Sequence, residues 1–177
     1  MMAFAIKKSD KIIPDAYHGT DYDTAEKIVS NKEFVPSIGD EHYLGDGVYF
    51  FESSLWHAKD WAQKSTKKKS LKTLGVIKAK IDLGRCLDLN DFNCRMYIKS
   101  VATEFISRGI DTITEGVVIN FIAKQTGIDT IRANYVVPEK GPIFKDSRFF
   151  NYSCLMICVR NTKSISGIAW AYTGVII

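Results

Sequence analysis

The chain has 177 residues, of which 46% are hydrophobic and 25% are charged, and its net charge is +4 at neutral pH. This length and composition predict one globular domain over residues 1–177. No apolar run approaches the roughly 18 residues that a membrane helix needs. The apolar segment Met1–Ile6 is too short for a secretory signal, and its lysines follow it rather than precede it. We therefore expect a cytoplasmic protein that does not engage a membrane.

The cysteines and histidines do not have the spacing of metal ligands. No tight Cys-x-x-Cys pair occurs among the four cysteines, and the chain has three histidines. A metal site is therefore not expected. The cysteines are interpreted as reduced thiols, namely Cys86, Cys94, Cys154 and Cys158.

The first predicted elements are a strand and a short helix. A polar entry segment, Lys7 to Asp15, leads into a strand that contains Tyr17-His18-Gly19-Thr20. Asp23 and Glu26 have the spacing of a capping box, which predicts a helix that ends near Asn31. The segment Phe34 to Ser37 turns the chain back, and His42 follows in a polar loop that we interpret as solvated.

The stretch from Leu44 to Ala62 is the most distinctive part of the sequence. Gly45 and Gly47 bracket Asp46, and glycine permits positive φ or a close approach of backbone to a ligand. The apolar run from Val48 to Phe51 predicts a short buried strand. The following Glu52-Ser-Ser offers oxygens that cap a helix, on which Ala58, Trp61 and Ala62 recur at helical spacing.

These two motifs together resemble the NAD-binding core of the ADP-ribosyltransferases, in the branch with diphtheria toxin and the poly(ADP-ribose) polymerases. The resemblance implies a single α+β domain with a split, mostly antiparallel β-sheet and flanking helices. It also implies that His18 and Gly19 hold the ribose and carboxamide of NAD, with NAD as a substrate. Tyr49 is then expected to stack on the nicotinamide ring.

The implied NAD site extends to neighbouring positions of the two motifs. Thr20 and Phe50 lie inside the motifs, and Trp61 is expected to close over the nicotinamide. His57 lies on the same helix and is an open alternative as a ligand contact, whereas Trp56 is expected to have a packing role. The residue types suit the ligand, because aromatic faces attract a cationic ring and a neutral imidazole can pair with a ribose hydroxyl.

A basic segment from Lys59 to Lys80 follows. It predicts either a solvated loop or a surface that attracts a nucleic-acid acceptor. The candidate acceptor contacts are Lys64, Lys67, Lys68, Lys69 and Lys72.

The second half of the chain is predicted to consist of strands and helices with an architectural role. Alternating apolar residues predict a strand from Leu74 to Leu83, and two or three helices follow, broken at Gly109 and Gly116. Further strands are predicted at Gly127–Val137, at Asn151–Arg160 and in a closing segment that begins at Ile165. A long loop begins at Pro138, and by resemblance it corresponds in position to a target-recognition loop.

The sequence departs from the family where a glutamate normally begins the late strand. Leu155 or Met156 falls at that position, and no glutamate follows Lys140. The candidates for a replacement acid are Glu52, Glu115, Glu139 and Asp146. Arg132 and Arg148 are candidates for holding the pyrophosphate, and Arg148 is preferred.

The sequence therefore favours transfer of a single ADP-ribose to nucleic acid or protein. By resemblance, the setting is an intracellular effector or toxin of a toxin–antitoxin or phage-defence system, with a neutralising antitoxin protein as a possible partner. Two alternatives stay open. One is an inactive module that binds NAD or ADP-ribose, and the other is an NAD-dependent RNA 2′-phosphotransferase.

Overall fold

A computed structural model describes residues 5–176 and has the α+β class. The strands are β1 (Lys8–Asp21), β2 (Val48–Glu52), β3 (Thr73–Asp88), β4 (Thr130–Val136), β5 (Ser153–Val159) and β6 (Ile165–Val175). The helices are α1 (Tyr22–Asn31), α2 (Leu55–Lys68), α3 (Phe92–Ser107) and α4 (Glu115–Thr126). Short 3₁₀ turns occur at Pro138–Lys140 and Thr162–Ser164.

The six strands form one connected sheet in the order β1-β2-β5-β4-β3-β6, and β1 also pairs with β3. All pairings are antiparallel except β3 with β4. The sheet is split along β3, because β6 pairs with its residues 73–81 whereas β4 pairs with its residues 86–88. The predicted α+β class with a split, mostly antiparallel sheet is therefore confirmed.

Two apolar cores lie on opposite faces of the sheet. Val76 belongs to the larger core, which also contains Ile119 and Ile122 of α4. Its neighbour Ile77 belongs to the smaller core, which contains Ala25 and Ile28 of α1. Successive residues of a strand point to opposite faces, so β3 supplies both cores.

The long strand β3 pairs with the N-terminal segment and so makes it part of a strand. The predicted entry segment joins β1, because residues from Lys8 onward pair with β3 up to Arg85. A segment that is polar in sequence is thus ordered by backbone hydrogen bonds to its neighbour. Part of the predicted apolar N-terminus, Met1 to Phe4, lies outside the described residues, as does Ile177.

The residue that caps a helix is set by its backbone conformation as well as by its type. Ser54 caps α2 as expected, but the cap of α1 is Asp21, whose carboxylate accepts from the Thr24 amide at 2.9 Å. Asp21 is in the extended conformation that an N-cap needs, whereas Asp23 is already helical.

Gly116 does not break a helix but lies in the first turn of α4. A Cβ at this position would lie 2.3 Å from the carbonyl oxygen of Asp40. The glycine therefore allows the loop before β2 to lie directly on α4.

Within residues 5–176, no helix is both long and apolar enough to span a membrane.

Candidate functional site

A cleft opens in the sheet where β1 and β2 separate. The two strands pair at Ala16–Glu52 and Tyr17–Phe51, and the pairing stops there. Beyond that point the imidazole of His18 bridges the strands, since its Nδ1 lies 2.8 Å from the carbonyl oxygen of Tyr49. One edge of β1 and one edge of β2 thus face each other without a continuous ladder between them.

The hydrogen bond of His18 fixes its tautomer. A carbonyl oxygen only accepts, so Nδ1 carries the proton and donates to Tyr49. Burial lowers the pKa of His18, and this outweighs the opposing effect of the hydrogen bond. The imidazole is therefore neutral at pH 7, and its Nε2 is an acceptor.

The hydroxyl of Tyr49 is held by two backbone hydrogen bonds. Its hydroxyl donates to the Gly45 carbonyl oxygen at 2.6 Å and accepts from the Leu44 amide at 3.0 Å. Burial raises the pKa of Tyr49, so the phenol stays protonated at neutral pH. These bonds tie the ring to the glycine loop that precedes β2.

The cleft contains a cavity of about 270 Å³ whose wall is mostly apolar. This volume is slightly below the roughly 300–1,000 Å³ range of ligand sites. The lining residues are His18, Gly19, Val35, Ser37, Glu41, His42, Tyr43, Val48, Tyr49, Phe51, Trp61, Tyr135 and Met156.

Helix α2 closes one side of the cavity because Gly19 lets it approach β1. A Cβ on Gly19 would lie 1.9 Å from the carbonyl oxygen of Ala58, which is shorter than any real contact. Further along α2, Trp61 reaches the cavity with 47% of its surface exposed, and its ring lies 6.4 Å from that of Phe51. The glycine thus has a packing role as well as a place in the cavity wall.

The structure brings four of the predicted site residues together: His18, Gly19, Tyr49 and Trp61 all line the cavity. Phe50 does not join them, because alternation along β2 places it in the smaller core, 5.3 Å from the ring of Phe34. This corrects the expectation that Phe50 contacts the cofactor from the same strand.

Three further predicted contacts also lie outside the cavity wall. Thr20 is buried beyond it, and Arg148 is exposed in the loop before β5. His57 is enclosed by aromatic rings instead, with Tyr152 at 4.7 Å and Phe51 at 5.9 Å. Its Nδ1 pairs with Ser54 at 2.6 Å, and burial lowers its pKa.

Sequence reasoning missed the loop between α1 and β2. His42, which we expected to be solvated, lines the cavity with its ring 6.2 Å from that of Tyr49. Glu41 and Tyr43 line it too. The one sequence signal was proximity, because these residues directly precede the glycine loop that binds the Tyr49 hydroxyl.

The late strand contributes Met156 to the cavity and no acid. Glu52, one of the candidate replacements, is committed elsewhere, since it accepts from Arg132 at 2.6 and 3.0 Å. Glu115, Glu139 and Asp146 do not line the cavity.

Among residues 5–176, no group of three or more His, Cys, Asp or Glu side chains is placed to hold a metal ion.

The five candidate lysines lie in the second half of α2 and just after it, and none of them lines the cavity. Lys64 pairs with Asp60 at 2.5 Å, and Lys69 pairs with Asp21 at 2.7 Å. Lys67, Lys68 and Lys72 are exposed. All five candidate lysines are thus exposed, and three of them have no acidic partner among residues 5–176.

Comparison with known proteins identifies a relative. No family model matches the chain. The chain is 33% identical over 184 residues to the uncharacterised protein MJ0359 of Methanocaldococcus jannaschii, covering 87% of this chain and 85% of the archaeal protein. The chain belongs to the family of this archaeal protein.

A solved structure is also similar to this member of the MJ0359 family. It is the crystal structure of the M. tuberculosis MbcT–MbcA toxin–antitoxin complex, with a TM-score of 0.48 and 9% sequence identity. The similarity covers 91% of this chain and 82% of the other. At this level of superposition and identity, the likeness says nothing about activity.

Proposed function

We propose that the cavity binds the nicotinamide end of NAD and that the protein transfers a single ADP-ribose to an acceptor. One observation carries this proposal: His18, Gly19, Tyr49 and Trp61 line the same cavity. These residues come from β1, β2 and α2, and the resemblance of the sequence motifs assigns all four of them to NAD.

The chemistry of the lining supports a cationic aromatic ligand. Tyr49 and Trp61 offer aromatic surface, which attracts the pyridinium of NAD through stacking and the ring quadrupole. The free Nε2 of His18 can accept from a ribose hydroxyl. The unpaired edge of β1 at Gly19 leaves backbone groups for the carboxamide. Arg148 stays a proposed contact of the pyrophosphate from the loop before β5.

The acceptor and the biological setting are proposed on charge and on family resemblance. Lys67, Lys68 and Lys72 make a basic surface that would attract a nucleic-acid acceptor, with Lys64 and Lys69 held in ion pairs beside them. We propose a cytoplasmic effector or toxin, with a neutralising antitoxin protein as its partner.

A second function, an inactive NAD-binding module, is favoured because Leu155 or Met156 stands where the ADP-ribosyltransferases carry their acid, and Met156 lines the cavity. The phosphotransferase alternative has less support. None of the described residues that line this cavity is an arginine or a lysine. Arg132 is engaged with Glu52 and Asp88, so it is not available to an acceptor phosphate.

The proposal is tested with two tryptophans of the same helix. NAD binding is measured by calorimetry for Trp61→Ala and for the matched control Trp56→Ala, which changes a 60% exposed side chain outside the cavity. Loss of the Trp61 ring should lower the affinity for NAD about 5- to 30-fold, as expected for about 1–2 kcal/mol of ring–cation attraction. The control should bind like wild type.

Turnover is then followed with NAD labelled in its ADP-ribose, incubated with RNA, DNA or protein. Label on an acceptor with wild type, absent with Tyr49→Ala, would support transfer and identify the acceptor class. NAD binding without release of nicotinamide would support the inactive module. If wild type binds no NAD, or if both tryptophan variants lose affinity equally, the proposed site is overturned.

A further inference from the structure

One carboxylate lines the cavity, and it belongs to the loop before β2 rather than to the late strand β5. Met156 of β5 gives the wall no acid, whereas Glu41 lies on the wall formed by the loop of residues 38–47. No other Asp or Glu is found among the described lining residues. An acid is thus available to a ligand in the cavity without any contribution from β5.

The loop that presents Glu41 is fixed from behind by a buried amide. Asn120 of α4 is 4% exposed, and its Nδ2 donates to Asp40 at 2.8 Å and to Asp46 at 3.2 Å. Its Oδ1 accepts from the Asp46 amide at 2.8 Å and from Arg160 at 2.7 Å. Both ends of the loop are therefore anchored to one side chain.

Glu41 itself is free to reach a ligand. Its side chain is 77% exposed, and its Oε1 lies 3.7 Å from Nε2 of His42. The His42 ring in turn lies 6.2 Å from that of Tyr49. Glu41 and the Tyr49 ring proposed to contact nicotinamide therefore both lie next to His42 in the cavity wall.

We propose that Glu41 is the base of the transfer reaction, in place of an acid on the late strand. This proposal rests on the proposed function. When the bond from C1′ of the ribose to the pyridinium nitrogen breaks, its electron pair returns to nitrogen and neutral nicotinamide leaves. As nicotinamide leaves, the acceptor oxygen or nitrogen bonds to C1′ in the same step, and its proton passes to the Glu41 carboxylate, which later releases it to water.

The test compares Glu41→Gln with Glu33→Gln, which removes an exposed carboxylate away from the cavity. The exposure of Glu41 means that neither change should disturb folding. We measure the NAD dissociation constant and the single-turnover release of nicotinamide, with acceptor present. Glu41→Gln should slow release by about 100-fold or more, the usual size of a general-base contribution. NAD affinity should stay within about threefold of wild type.

The outcomes separate this inference from the proposed function. If wild type turns over NAD and Glu41→Gln is as fast as Glu33→Gln, Glu41 is not the base. If affinity falls as much as rate, Glu41 is a binding group and the inference is overturned. If wild type binds no NAD, the proposed function itself fails, and the inference fails with it.

Discussion

His18 joins the architecture of the sheet to the chemistry of the cavity. Its Nδ1–H replaces a backbone donor toward the Tyr49 carbonyl where β1 and β2 separate, which leaves Nε2 for a ligand. Because burial keeps the ring neutral, both functions are available at pH 7. One side chain thus supports the fold and the site at the same time.

The pH dependence of NAD binding should report on this imidazole. The pKa of His18 is lowered from 6.5, so affinity should be constant from pH 8 down to 6.5 and should fall at more acid pH, where Nε2 gains a proton. His18→Asn keeps an amide donor toward Tyr49 but has no acceptor at the position of Nε2, and should bind NAD about tenfold more weakly. Calorimetry at several pH values would show this. An acid-sensitive affinity that persists in His18→Asn would contradict the assignment.

At the scale of elements, α4 supports the cavity wall although none of its residues lines the cavity. Gly116 lets the loop of residues 38–47 lie on the first turn of α4, and Asn120 binds that loop one turn later. Arg160, just after β5, completes the contact through the Asp46 carbonyl at 2.9 Å. The wall that carries Glu41 therefore depends on a helix far away in sequence.

Replacing Asn120 with alanine should destabilise the protein and loosen this loop. The change leaves Arg160 and two aspartates without their shared partner, which should lower the free energy of unfolding by about 2–4 kcal/mol. Urea denaturation measures the stability, and hydrogen exchange of residues 38–47 measures the loop. Asn93→Ala, an exposed change on α3, is the control. Normal exchange of the loop in Asn120→Ala would refute its anchoring role.

At the scale of the whole molecule, an ion pair ties the two sides of the sheet together. Asp21 ends β1 and caps α1, and it accepts from Lys69 at the end of α2 at 2.7 Å. Burial opposes ionisation of Asp21, but the bonds from Lys69 and Thr24 prevail and lower its pKa to about 2. The charge of Lys69 is consequently structural rather than free for an acceptor.

Acid should therefore remove part of the stability. A carboxyl whose pKa is depressed in the folded state stabilises above its unfolded pKa, and this contribution is lost as pH falls from about 4 to about 2. The loss due to Asp21 should be of order 1–2 kcal/mol. Thermal unfolding from pH 7 to 2 measures it. Asp21→Asn should be less stable at pH 7 and should lose less on acidification, and an unchanged acid profile would exclude this role.

Local patterns predicted the parts of this protein that local forces control. The alternation in β3, the Ser54 cap and the run from Val48 to Phe51 can all be read from near neighbours. The choice of Asp21 rather than Asp23 as the cap could not be, because Asp21 is kept extended by its pairing with Leu74 of β3. The role of Gly116 could not be either, because it depends on the loop that packs against this glycine. His42 was misjudged for the same reason, since a polar loop is solvated only when nothing packs behind it.

The sequence by itself determined the two motifs around His18 and Tyr49, whose resemblance to a known family implies the α+β class, and the absence of an acid on β5, because motifs and missing residue types depend only on the local sequence. Only the tertiary structure decided that Phe50 faces the core, that Lys69 is paired with Asp21, and that Glu41 lies on the cavity wall. Those outcomes depend on strand register and on contacts between distant segments, and no local pattern encodes either.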